Sequence, residues 1–410
     1  MHDYRFLTDY SNGVFLSFMV TSIFDKCLAF TDAQLVRDAG IYPYFRSIDK
    51  SEGTRVTIEG RKVIMIGSNN YLGLTHDPRV IEAAKKAVDK YGVGCTGSRF
   101  LNGTLKLHLE LEERLSKFTG HEAALVFSTG FQANIGTISC LVDKDDLVIS
   151  DSENHASIVD GCRLARGETI VFEHNDLNDL EDKLKVNSHK NKLIVTDSVY
   201  SMTGDIAPLD KIEALAKKYN AQLFVDDAHA FGLLGKTGRG SQEHFGRKFD
   251  VIMGTFSKTF SSIGGFVAST HSVIDYIKHK ARSMMFSASL PPASTAAVLK
   301  VLDIMETENE HIEKLWHNAN YMRKALKEMG YKIDPSETPI IPLQIGEAMQ
   351  TLVFGTELFN QGLFTNPVLP PAVPQDKGLI RTSYMATHTK KDLDDSLAIL
   401  EKVGKQLHII

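Results

Sequence analysis

Six short apolar runs, at 123–127, 147–150, 169–172, 193–196, 223–225 and 251–253, recur along the middle of the chain with gaps wide enough to hold helices. A run of three to five apolar residues without polar alternation reads as a strand buried on both faces. Helices must then cover the sheet above and below, so the spacing predicts an α/β protein whose sheet is built through long crossovers. At 43% hydrophobic residues the chain can fill such a core, and a disordered or linker-rich reading has no support.

The flanks extend this plan. Residues 55–66 read as two short strands around the Glu59-Gly60 turn, and helical periodicity at 78–91 and 108–118 encloses a glycine-rich loop. After Pro291-Pro292, helices are expected over 294–308 and 311–329, a strand over 340–345 and a last helix after Thr389. The proline-rich stretch 367–374 can be neither helix nor central strand and is expected to be a stiff loop, because proline fixes φ and removes backbone donors. The division predicted is an N-terminal arm over 1–60, a large mixed-sheet domain over 61–292 and a smaller α+β domain over 293–410. Within the arm, 31–39 is helical and Tyr42-Pro43-Tyr44-Phe45 is an ordered connector. The apolar stretch 14–24 has three open readings: packing on the body or a partner subunit, lying on a membrane surface, or lining a substrate entrance.

Charge and motifs narrow the function. A formal net charge of -5 shows none of the basic excess of a non-specific nucleic-acid binder. Cys27, Cys95, Cys140 and Cys162 form no CxxC pair, which points to the reducing cytoplasm rather than a disulfide scaffold or structural zinc. No stretch approaches the roughly 20 apolar residues of a membrane span. The segment 230–237 has alanine where a nucleotide-phosphate loop needs its first glycine, Ser128-Thr129-Gly130 lacks the glycine before a nucleophile elbow, and no HExxH helix exists. No metal site is expected, and His76, His121, His174, His244 and His311 are read as surface or packing residues.

The chemistry concentrates in Asp226-Asp227-Ala228-His229, which follows an apolar strand, and in Gly254-Thr255-Phe256-Ser257-Lys258 beyond it. Asp226 at the strand end suits a protonated pyridine nitrogen, and Lys258 suits a Schiff base to an aldehyde, so the set asks for pyridoxal 5'-phosphate. His229 is placed to donate to the ring's phenolic oxygen, and Thr255 and Ser257 to bond its phosphate. Upstream, Ser128-Thr129-Gly130-Phe131 turns from strand to helix, where the amides of Gly130 and Phe131 can surround an anion. His155, after the 147–150 run, either lies over the ring or serves as an ordinary polar cap.

These motifs resemble the α-oxoamine synthases, fold type I pyridoxal-phosphate-dependent transferases that condense an amino acid with an acyl thioester and release carbon dioxide. The resemblance runs through Ser68-Asn69-Asn70-Tyr71-Leu72-Gly73-Leu74, Thr196-Asp197-Ser198-Val199-Tyr200-Ser201-Met202 and the two stretches just described, in the family's order. It implies that Lys258 holds the cofactor and acts as base, that His155 stacks on the ring, and that Ser198 supports the pocket. It also implies that Arg381, with Asn69, binds the substrate carboxylate, and that the protein is a homodimer with shared active sites. Ser287 and Ser289 would then reach the neighbouring subunit's phosphate. The stretches 97–104, 370–374 and 381–389 are similar to the branch of the family that joins L-serine to a long-chain acyl-CoA. Glycine or alanine with a shorter acyl donor, or a scaffold subunit without turnover, stay open. The implied location is cytoplasmic, with contact at the inner membrane face left open by the 14–24 segment.

Overall fold

A computed structural model describes residues 22–333 and 335–410. Residues 14–21, most of the apolar N-terminal stretch, lie outside them. The central sheet has seven strands: β1 (Ala123–Phe127), β2 (Leu147–Asp151), β3 (Glu168–Phe172), β4 (Lys192–Asp197), β5 (Gln222–Asp226), β6 (Val251–Thr255) and β7 (Gly265–Ser269). Their order across the sheet is β1-β7-β6-β5-β4-β2-β3. Neighbours from β6 to β3 pair in parallel, and β7 runs antiparallel to both β1 and β6.

Each apolar run of the sequence is one of these strands, and four of the six are extended at the carboxyl end to a polar residue: Asp151, Asp197, Asp226 and Thr255. The alternation along a strand explains why the runs are continuously apolar. Ile149, Val225, Ile252 and Phe266 join one core, while their neighbours Val148, Phe224, Val251, Met253 and Val267 join a second core on the opposite face. Both faces of the inner strands are therefore dry, as their runs require; β3 differs from expectation, because it is the edge of the sheet and leaves Thr169 and Val171 exposed.

A second sheet lies toward the C-terminus, with Gly378–Ser383 between Ile340–Gly346 and Asn366–Val368, all antiparallel. Helices Glu310–Met329, Ala348–Asn360 and Lys390–Gln406 contribute Met322, Phe354, Leu358, Leu397 and Leu400 to the core that covers it. The proline-rich segment differs from expectation in part. Pro367 lies inside a strand, which is possible because Asn366–Val368 is an edge and needs no donor on its outer side. Residues 369–377 are irregular, as expected.

The hairpin Arg55–Ile58 and Arg61–Met65 straddles residue 60, and its second strand pairs with Leu363–Phe364. Ile64 and Ile66 enter the same C-terminal core. Three hydrogen bonds, two of them between backbones, then stitch the following loop to the end of Gly378–Ser383 and the residues after it. Ser383 N donates to Ile66 O at 2.7 Å, Ser383 Oγ to Ser68 O at 2.6 Å and Ala386 N to Tyr71 O at 2.7 Å. Residues more than 300 apart in sequence, Asn69 and Arg381, become neighbours in this way.

Strand β7 meets the start of helix Gly130–Leu141 so closely that a Cβ on Gly265 would lie 2.6 Å from Gly130 Cα and 2.8 Å from its nitrogen. Backbone cannot yield as a side-chain tip can. Gly265→Ala should destabilise the chain by about 1–3 kcal/mol through overpacking, seen as a lower thermal midpoint. Gly94→Ala, where an added Cβ meets nothing within 4 Å, should leave the midpoint nearly unchanged.

Candidate active site

Three adjacent parallel strands, β2, β4 and β5, end in buried aspartates at one edge of the sheet, where open α/β folds place their ligands. Asp226 Oδ1 accepts from Ala228 N at 2.8 Å and Oδ2 from Asn134 Nδ2 at 2.7 Å. Its carbonyl takes both the amide of Ser198 at 2.9 Å and the hydroxyl of Ser198 at 3.0 Å. Ser198 thus locks the ends of β4 and β5 together. Beside Asp226, Asp197 accepts from His155 N at 2.7 Å. Burial, reinforced by the Asp226 charge, holds the Asp197 carboxyl well above the usual carboxylate range.

Lys258 follows β6 across from these carboxylates. Burial pushes its amine down to about 8, while Asp226 and Asp197 pull it upward and Arg381 pushes it down. His155 caps helix Ala156–Leu164, with its Nδ1 facing Ser157 Oγ at 2.7 Å and Ser157 N at 3.2 Å. Its ring is open along the crevice and stands edge-on to Phe131 at 6.4 Å between centroids. Protein at its base still desolvates the imidazole and lowers its pKa; Asp226 opposes the shift and Lys258 adds to it.

On the other side, His229 is buried and its pKa falls well below the usual histidine value, through burial first and then the charges of Lys258 and Arg381. Its Nδ1 lies 2.7 Å from Tyr71 Oη. Arg381, only 4% exposed, donates from Nη2 to Asn69 Oδ1 at 2.9 Å and from Nε to Ser201 O at 2.5 Å. The Nη2 also reaches Tyr71 Oη at 3.4 Å, so Tyr71 joins the guanidinium to His229.

The phosphate end lies at the start of helix Gly130–Leu141. Thr129 Oγ1 accepts from Gln132 N at 3.1 Å, which leaves the first two amides, Gly130 and Phe131, without intrahelical partners. A Cβ on Gly130 would come within 2.7 Å of Thr255 Oγ1, and Thr255 Oγ1 lies 2.9 Å from Ser257 Oγ. Two hydroxyls and two amides therefore converge where only glycine fits. Ser287 Oγ accepts from Gln132 Nε2 at 2.9 Å, so it borders the same helix start. Ser289 stands apart from it: its amide bonds to Gly97 O at 2.9 Å and its buried hydroxyl has no partner within the described residues.

The arrangement passes a physical test for pyridoxal 5'-phosphate. An anion cradle lies at the helix start, a carboxylate at the strand end, and between them Lys258 has an amine that makes no hydrogen bond among the described residues. Lys258, Asp226, His155, His229, Ser198, Thr255, Ser257, Gly130 and Phe131 are brought to one crevice, with Arg381 and Asn69 at its far wall. Among the described residues no cluster of three or more His, Cys, Asp or Glu has the placement of a metal site.

Sequence reading gave no role to Asp197, Asn134, Ser157 or Tyr71. Asp197 carries the same strand-end signal as Asp226; buried polar residues in helices carry none. His174 also proves to be more than a packing residue. Its Nδ1 lies 3.0 Å from Asp151 Oδ1 and its Nε2 2.9 Å from Asp205 Oδ2. Burial works against its charge, yet the hydrogen bonds and charges of the two carboxylates outweigh it and raise the pKa to about 10.

Residues 61–400 match the family model described as aminotransferase class I and II. The chain is 50% identical over 383 residues to serine palmitoyltransferase of Sphingobacterium spiritivorum, across 93% of this chain and 96% of that protein. It is 44% identical over 395 residues to 8-amino-7-oxononanoate synthase of Thermoanaerobacter pseudethanolicus, across 95% of this chain and all of that one. Among solved structures, a lysine-to-alanine variant of serine palmitoyltransferase from S. paucimobilis with a bound PLP–myriocin aldimine superposes with a TM-score of 0.91 at 37% identity, covering 94% of this chain and 98% of the other.

The His174 clamp yields a pH test. Because its folded pKa is raised, its contribution is complete below the ordinary histidine value and is lost as pH rises through about 10. The wild-type thermal midpoint should therefore fall relative to that of His174→Gln between pH 7 and 10; parallel curves would contradict the clamp.

Proposed function

The chain belongs to the aminotransferase class I and II family and, within it, to the α-oxoamine synthases, and on that premise we propose that it is a serine palmitoyltransferase. It condenses L-serine with palmitoyl-CoA to 3-ketodihydrosphingosine, releasing coenzyme A and carbon dioxide. The observation that carries this reading is the convergence of Lys258, Asp226 and Arg381 on one crevice in a chain 50% identical to a serine palmitoyltransferase. When bound, pyridoxal 5'-phosphate supplies an aldehyde for the amino acid's amine and a protonated ring that accepts the electron pair left on Cα.

The protein's own groups do the rest. Gly130 and Phe131 amides with the Thr255 and Ser257 hydroxyls hold the phosphate, Asp226 keeps the pyridine nitrogen protonated, and His229 donates to the phenolic oxygen. Arg381 grips the serine carboxylate with its planar fork, and Asn69 and Ser201 O fix the fork's orientation. Lys258 Nζ, with its pKa lowered to about 8, takes the Cα proton near neutral pH. His155 offers a neutral N–H over the reacting face to orient the carboxylate that leaves and to polarise the acyl carbonyl.

The reading includes a homodimer with shared sites in which Ser287 and Ser289 face the neighbouring subunit's phosphate. Its support is the exposure of Ile23, Phe24, Leu28 and Phe30, at 60% or more each, in the first described segment of the arm, whose two short helices contribute no buried residue. The proposed location is the cytoplasm, with contact at the inner membrane face through the N-terminal segment. No helix among the described residues is long and apolar enough to cross a membrane.

The deciding experiment supplies reconstituted protein with palmitoyl-CoA and, separately, serine, glycine and alanine, and follows thiol release and product mass. Serine-dependent 3-ketodihydrosphingosine is expected; turnover with glycine or alanine alone would overturn the serine assignment. Arg381→Lys should lower kcat/KM for serine about 10- to 100-fold, the worth of one charge-assisted hydrogen bond. Lys258→Ala should abolish the Schiff-base absorbance band of the holoprotein.

A further inference from the structure

Asn134 and Ser157 are both fully buried, lie on different helices and take no part in the contacts described for phosphate, ring or carboxylate. Asn134 Nδ2 donates to two acceptors at once, Asp226 Oδ2 at 2.7 Å and Ser157 Oγ at 2.8 Å. Ser157 Oγ in turn lies 2.7 Å from His155 Nδ1. The direction of each bond follows from the acceptor at one end. A carboxylate oxygen only accepts, so the amide must turn its nitrogen toward Asp226, and one of its two hydrogens goes there. The second hydrogen then occupies one lone pair of Ser157 Oγ, and because the Ser157 amide donates to His155 Nδ1 that nitrogen is an acceptor, so the hydroxyl turns its own hydrogen to it rather than its second lone pair. Ser157 N–H, at 3.2 Å, points at the same ring nitrogen.

Two donors aimed at Nδ1 leave a neutral imidazole only one place for its proton. We propose that Asn134 and Ser157 are positioning residues that hold His155 as the Nε2–H tautomer, so that its single N–H faces the crevice. Asn134 Oδ1 has no partner among the described residues, so the amide is held by its two donated bonds alone. Through that one amide the group at the ring nitrogen, Asp226, and the group over the ring face, His155, are fixed together. The inverted tautomer would turn a bare lone pair toward the substrate carboxylate and repel it. Among the groups that face His155, burial and the positive charge of Lys258 favour the neutral ring and outweigh Asp226, which lies beyond the relay and opposes them, while Asp197 meets the backbone amide.

The consequence for catalysis rests on the function proposed above, but the tautomer is a property of the chain by itself and can be read without substrate. The experiment is 15N–1H correlation of histidine side chains in protein labelled at the imidazole nitrogens, with His155 assigned by its loss in His155→Gln. The wild type should show a protonated Nε2 and an unprotonated Nδ1. In Ser157→Ala only the longer amide contact persists, so the Nδ1–H form should gain population, and Asn134→Ala should act in the same direction by freeing the serine hydroxyl. Ser157→Thr, which keeps a hydroxyl, should restore the wild-type pattern.

In turnover, Ser157→Ala should lower kcat roughly tenfold or more with little change in KM for the amino acid, and Ser157→Thr should recover most of it. A protonated Nδ1 in the wild type overturns the proposal, as does a tautomer unchanged in both alanine variants. If a variant fails to fold, the wild-type spectrum alone decides. A protein that used glycine instead of serine would sink the substrate assignment and leave this result intact.

Discussion

Neighbouring strands that end in buried carboxylates create the electrostatic problem around which this crevice is built. Asp226, Asp197 and Asp151 are 5% exposed or less, and Asp226 and Asp197 are register partners across β4 and β5. Like charges in a poorly solvated place cannot stand without partners. Each finds a different solution. Asp151 receives a protonated His174 together with the amides of Glu153 and Asn175. Asp197 takes the amide of His155 and is held toward its neutral form. Asp226 takes one amide and one side-chain nitrogen, and faces the amine of Lys258, whose pKa it pulls upward. The acid and base chemistry proposed for the site draws on these responses to burial.

The second constraint is long-range stitching. Arg381 sits in the central strand of the C-terminal sheet, Asn69 and Tyr71 in the loop after the N-terminal hairpin, and Lys258 in the connection between β6 and β7 of the main sheet. Bonds from Ser383 and Ala386 to the 66–71 backbone bring the first two groups together. A guanidinium on a side chain only 4% exposed would be costly alone, but here a carbonyl and an amide oxygen fix two sides of its fork. A side chain so held can recognise a carboxylate with little loss of rotamer freedom.

Much of this was legible in the sequence because the information is local. Apolar runs identify six of the seven strands of the main sheet, and an aspartate, a histidine and a lysine near strand ends identify the chemistry. Strand β7, Gly-Phe-Val-Ala-Ser, escapes such reading because glycine, alanine and serine dilute its apolar signal and only pairing with distant β1 and β6 defines it. Pro367 escapes because edge position is a property of the sheet. The Asn134–Ser157 relay escapes because its partners lie 92 and 23 residues from Asn134, and a polar residue inside an apolar helix has no periodic mark. His174 likewise acquires its charge from carboxylates 23 and 31 residues away.

If the buried Asp226 carboxylate governs the site, its effect must be visible on the cofactor ring itself. The most direct measurement is the 15N resonance of the ring nitrogen in protein reconstituted with 15N-labelled pyridoxal 5'-phosphate, compared between the wild type and Asp226→Asn. A protonated pyridine nitrogen in the wild type, lost in the variant, is the expected result. An unprotonated nitrogen in the wild type, or one indifferent to the substitution, would contradict the account at its centre.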